Sequence, residues 1–125
     1  MQPFGTGHDL FGDGSLVILP TPGHTLGSLS MLVRRPDGPP LLRAGDLTYD
    51  VHAFERGVPA GVGSRRQLRE TRDRVLALRS TNPGLQILAA HDPAAAELLD
   101  AIPAPPAQLS PAEPGPDLSR RAVDP

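Results

Sequence analysis

The chain has 125 residues, of which 12 are Lys or Arg and 14 are Asp or Glu, giving a formal net charge of −2. That length allows one modest domain, and the charge balance excludes the separate basic stripe that nucleic-acid binding needs. The absence of cysteine excludes disulfides, thiolate metal ligands and a thiol nucleophile.

Neither a signal-peptide pattern nor an apolar stretch of transmembrane length is present, so a cytoplasmic protein without a membrane partner is expected. The chain opens in glycine-rich text, "MQPFGTGHDLFGDGS", which reads as a loose terminus or as a start part-way through a larger fold. "SLVILP" (15–20) follows the turn residues "GDG" and predicts a short strand. "SLSMLVRR" (28–35) predicts a second, with Leu29, Met31 and Val33 on one side and Leu32 blurring the alternation. "PDGPP" (36–40) is a turn, and "LLRAG" (41–45) is its returning partner in a hairpin.

The stretch from Asp50 to Gly63 reads as an irregular loop bordering a pocket. A helix is predicted over Ser64–Thr81, where Ser64 and Gln67 form a capping-box start. Leu68, Val75, Leu76 and Leu78 share a stripe with Thr71 between them, and Glu70 and Arg74 can pair on the outer face. The arginines between Arg65 and Arg79 are interleaved with Glu70 and Asp73, as on a solvated helix face. "NPG" (82–84) ends the helix, "LQILAA" (85–90) is a buried strand, and "PAAAELLDAI" (93–102) starts a short helix on proline. Residues 103–125 are proline-rich with almost nothing to bury, a composition that predicts a disordered tail. Residues 1–102 then form the one domain, α/β (α+β) in class, with a crossover bringing the last strand parallel onto the same sheet.

His24 follows the first strand, Asp46 follows "LLRAG", and His91 follows "LQILAA". In the predicted topology all three reach one rim of one sheet, where open sheets of this class place ligands. Two imidazoles and a carboxylate suit a borderline divalent cation such as zinc, with iron, cobalt or manganese also accommodated. On spacing alone, other readings stay open. A loop histidine also serves as a hydrogen-bonding surface residue, Asp46 suits a turn or a helix cap, and "HDP" (91–93) suits a capped helix start.

"TPGHTLGSLSMLV", then "AGD", then "AAHDP", in that order, resemble the C-terminal half of the metallo-β-lactamase fold hydrolases. The likeness runs from about Gly7 to Leu99. It implies half of an αβ/βα sandwich, a mixed sheet with helices on one face. It implies a two-metal hydrolase in which His24 ligates one metal, Asp46 bridges both and His91 ligates the other. Asp46 followed at Tyr49 by a tyrosine is similar to the lactonase-like branch, in which the phenol hydrogen-bonds the substrate carbonyl. Asp46 and Tyr49 are thereby implied as catalytic, acting on an ester or lactone that is opened by metal-bound hydroxide.

One departure from the family is large. Its first half carries a His-x-His-x-Asp-His motif, and the sequence here has none. His8 and His52 lack partners at such spacing and are expected to face solvent. With His24, Asp46 and His91 alone, each metal would have about two protein ligands, fewer than the three of a catalytic zinc. Half a sandwich would also leave apolar surface or a sheet edge uncovered. Two expectations follow. The chain is one side of a metal-dependent hydrolase, inactive alone and completed by an N-terminal half or a second copy; or it is a catalytically dead, truncated relative that serves as a small binding protein.

Overall fold

The computed structural model describes residues 3–101, so the tail expected over 103–125 lies outside the described residues. The elements run β1 (His8–Asp9), β2 (Leu16–Pro20), β3 (Leu29–Arg35), β4 (Gly38–Gly45), α1 (Val51–Glu55), α2 (Arg65–Thr81), β5 (Gln86–Ala89) and α3 (Pro93–Asp100). The five strands lie side by side in chain order. β1 to β4 pair antiparallel, and β5 joins β4 in parallel after the chain has passed through α1 and α2. The mixed sheet with helices that the sequence implied is the architecture observed.

Alternation in the strands sorts their side chains between two faces. Val17, Leu32, Leu42 and Ile87 are in register across β2 to β5 and are buried. With Leu19 and Ala44 they pack against Leu68, Val75 and Leu78 of α2, Phe54 of α1 and Phe4. Each such buried aliphatic side chain contributes roughly 1.5–3 kcal/mol. The opposite face carries Ile18, Met31, Arg43 and Leu88 in register, and Leu29 beside them is 58 % exposed. α3 lies along the β5 edge, and between it and this second face runs an open groove of about 530 Å³ whose walls include Met31, Leu88 and Leu99. On this face Leu88 is buried, Ile18 and Met31 are half-buried, and only Leu29 and, across the groove, Leu99 are exposed apolar side chains.

Several local details differ from the sequence reading. The hairpin turn is tighter, Pro36–Asp37, because β4 already begins at Gly38. Pro39 and Pro40 are tolerated there because they fall in the register shift between the Val33–Leu41 and Arg35–Gly38 pairs, and pairing with β5 starts only at Leu41. Glu70 pairs backward with Arg66 at 3.3 Å instead of forward with Arg74. Within the stretch read as a loop, Asp50 caps the short helix α1 by accepting the N–H of Ala53. α2 starts as expected, with the Ser64 hydroxyl accepting the N–H of Gln67. Leu76 is only partly buried, and Thr71 takes its place on the inner stripe. Among the described residues no helix is long and apolar enough to cross a membrane.

Candidate functional site

The loop "PTPGHTLGS" (20–28) between β2 and β3 is held at both ends and in the middle. Thr21 donates its backbone N–H to Ser28 at 2.9 Å, and the buried Thr21 hydroxyl meets that of Ser30 at 2.8 Å. Ser28 Oγ accepts the backbone N–H of Thr25. From the helix side, the Thr71 hydroxyl donates to the Pro22 carbonyl at 2.7 Å, and Ser64 N–H donates to the Gly23 carbonyl at 2.8 Å. A Cβ on Gly23 would stand 2.6 Å from Leu68 Cδ2, and one on Gly63 would stand 2.0 Å from the Gly23 carbonyl oxygen. The two glycines therefore let the loop sit directly on the start of α2, with His24 projecting beyond the contact.

Asp46 follows the end of β4, where Gly45 takes φ +57°, a left-handed conformation that glycine adopts without steric cost. The Gly45 carbonyl accepts the N–H of Ala90, so the residues before Asp46 and before His91 are tied together across the parallel pair. Asp92 accepts Val51 N–H through Oδ2 and Ala94 N–H through Oδ1, both at 2.9 Å, linking the starts of α1 and α3. The Val51 bond first, and then the Ala94 bond, hold the Asp92 carboxyl below its ordinary range. The "HDP" stretch thus combines two of the readings left open: Asp92 caps α3 while His91 points to the rim.

The structure brings His24, Asp46 and His91 together. His91 Nε2 is 3.2 Å from Asp46 Oδ1, and His24 Nε2 is 3.9 Å from Asp46 Oδ2. One carboxylate is thus flanked by two imidazoles, each facing a different oxygen. Side-chain exposure rises from 24 % at His24 through 44 % at Asp46 to 66 % at His91, so the group opens outward. The Tyr49 ring stands edge-on to both imidazoles, its centroid 6.5 Å from that of His24 and 5.5 Å from that of His91. His8 lies on β1 and His52 on α1; both are exposed and neither pairs with Asp46.

The donor set bears on the metals that the resemblance implied. Two nitrogens around a shared carboxylate match two adjacent cation positions, each with one imidazole and one oxygen. Among the described residues, however, no group of three or more His, Cys, Asp or Glu side chains stands in an arrangement that would hold an ion. His24 Nδ1 is buried without a hydrogen-bond partner among them, whereas the second nitrogen of a ligating histidine ordinarily donates to a carbonyl or carboxylate. Among the described residues, then, the three side chains share one carboxylate but do not by themselves make a complete ion site.

Sequence reasoning missed the supports: Gly63 and Gly23 at the close approach, Thr71 beneath the loop, and Asp92 bridging to Val51. A threonine within a leucine stripe was the visible sign for Thr71; the Asp92–Val51 bond spans 41 residues and left no local sign.

No family model matches the sequence. An N-acyl homoserine lactonase AttM of Rhizobium johnstonii is 36% identical over 91 residues, covering 70% of this chain and 34% of the relative. The AttM of Azorhizobium caulinodans is 34% identical over 87 residues, 69% of this chain and 33% of the relative. A gamma-lactamase MBL2 of Gibberella moniliformis is 39% identical over 49 residues. The chain thus spans about a third of the length of the lactonases it matches. Among solved structures, an N-acyl homoserine lactone hydrolase with the product N-hexanoyl-L-homoserine at its catalytic metal centre superposes with TM-score 0.64 and 20% identity, over 74% of this chain and 36% of that one. A quorum-quenching N-acyl homoserine lactone hydrolase superposes with TM-score 0.62 over 70% of this chain. At that identity the superpositions establish a shared fold.

Proposed function

We propose that this chain, which matches N-acyl homoserine lactonases over about a third of their length, is a lactonase-like member of the metallo-β-lactamase fold family and supplies one side of a metal-dependent site that hydrolyses a lactone or related cyclic ester. The observation that carries the reading is Asp46, flanked by His24 and His91 on separate oxygens with Tyr49 edge-on to both.

His24, Asp46 and His91 would hold the metals, zinc being the natural choice for two imidazoles and a shared carboxylate. When bound, such ions supply positive charge to an acyl oxygen and acidify water. Tyr49 donates a hydrogen bond to the substrate carbonyl oxygen as it gains negative charge, a contribution of roughly 3 kcal/mol for one well-placed donor. Asp92 fixes the ends of α1 and α3 and thereby holds His91 and the segment after Tyr49 in place.

Completion comes from a segment bearing the missing His-x-His-x-Asp-His ligands, seated on the open sheet face around Met31 and Leu88. The half-buried Ile18 and Met31 and the exposed Leu29 and Leu99 along that face support this part of the reading. The two protein donors available to each cation position favour a second reading, a non-catalytic family member that binds a partner through the same face.

The test pairs the chain with the part of the Rhizobium johnstonii lactonase that it does not match and assays N-hexanoyl homoserine lactone with zinc. Expected is hydrolysis by the complex, lost in Asp46→Ala, and none by the chain alone. A stable complex without hydrolysis would leave only the binding reading.

A further inference from the structure

A second cavity lies on the helix side of the sheet, and none of His24, Asp46, Tyr49 and His91 lines it. It measures about 180 Å³ and is walled by the buried side chains of Leu47, Phe54 and Leu68, with the half-exposed Val58 at its mouth. The rim segment is firmly built: Val58 N–H donates to the Ala53 carbonyl, Gly57 N–H donates to the Phe54 carbonyl, and the Arg72 guanidinium donates to the Phe54 and Glu55 carbonyls.

Arg72 is fully occupied in this way, whereas Arg65 and Arg69 are not. Both line the cavity, both are exposed, and neither has an acidic or hydrogen-bonding partner among the described residues. They stand one helical turn apart on α2, where like charges repel and weaken the helix. Their neighbour Arg66, by contrast, is paired with Glu70. Two unpaired guanidiniums beside a preformed apolar hollow are complementary to a molecule with an anionic head and a short apolar body. Arginine's fork of N–H donors suits a carboxylate in particular.

We propose that this cavity binds a short-chain carboxylate, its alkyl part among Leu47, Phe54, Val58 and Leu68 and its head between Arg65 and Arg69. The site is separate from the proposed hydrolytic centre and does not depend on metals or on completion of that centre.

The full 125-residue chain, labelled for amide NMR, is titrated with octanoate, with octanol and with acetate. Octanoate is expected to shift the amides of Leu47, Phe54, Val58 and Leu68 in a saturable manner, more tightly than either other probe. Arg65→Gln combined with Arg69→Gln should weaken octanoate at least tenfold and leave octanol unchanged. Arg65→Lys with Arg69→Lys, which keeps both charges on exposed positions, should retain part of the affinity and controls for folding. The proposal is overturned if octanoate shifts nothing, if octanol binds as well as octanoate, or if the shifts fall on Ile18, Met31 and Leu88 of the open sheet face.

Discussion

The Gly23 carbonyl accepts the backbone N–H of Ser64, the capping residue of α2, at 2.8 Å. This bond couples the residue before His24 to the first turn of the longest helix. The imidazole is consequently positioned by the core that α2 helps to form.

That coupling depends on Gly63, which adopts φ +92° and would place a Cβ 2.0 Å from the Gly23 carbonyl oxygen. Gly63→Ala should therefore destabilise the chain by about 2 kcal/mol and displace His24. Gly61→Ala is the control. Gly61 also has positive φ, +80°, but nothing within 4 Å of an added Cβ, so it should cost only the left-handed backbone penalty of about 1 kcal/mol. Urea unfolding of both variants measures the difference, and equal midpoints would contradict the close approach.

Zinc binding should depend unequally on the three site residues. Asp46→Asn alters the carboxylate facing both imidazoles and should lower affinity most. His24→Ala and His91→Ala should each remove one position, costing more than the roughly 10–100-fold loss typical of an outer-shell partner. Calorimetric titration with zinc tests the order, and a His91→Ala protein that binds zinc as tightly as the parent would exclude His91 from the centre.

Tyr49→Phe keeps the ring that stands edge-on to both histidines and removes only the phenol O–H. In the completed enzyme kcat should fall on the order of 100-fold, corresponding to roughly 3 kcal/mol, while zinc affinity stays unchanged. Lost zinc affinity with unaltered turnover per bound metal would assign Tyr49 a structural role instead.

Asp92→Ala removes the acceptor for both Val51 and Ala94 N–H groups. A lost helix cap costs about 1 kcal/mol, and the bridge to α1 is lost with it. Amide hydrogen exchange should accelerate at Val51 and Ala94 together. Acceleration at Ala94 alone would mean that the long-range bond contributes nothing to holding α1.

The lactonase-like resemblance and the main elements were legible in local text. Apolar runs beside turn residues marked β2, β4 and β5, alternation marked β3, helical spacing and the Ser64 cap marked α2, and Pro93 marked α3. His24, Asp46 and His91 could be named because each directly follows or closely trails a strand, and a sheet with one parallel crossover sends those ends to one rim. The two-residue β1 carries too little pattern to be read, and α1, five residues long, was obscured by its loop-like surroundings. What sequence could not convey was how the rim is held. The Ser64–Gly23, Thr71–Pro22 and Val51–Asp92 hydrogen bonds join residues 41 apart or more, and such bonds form only after the core has set the distance between their elements. Periodicity and capping act within a few residues and say which side chains face inward. The separation of His24 and His91 across one carboxylate is a property of packed layers, and it arises when α2 settles on Gly23.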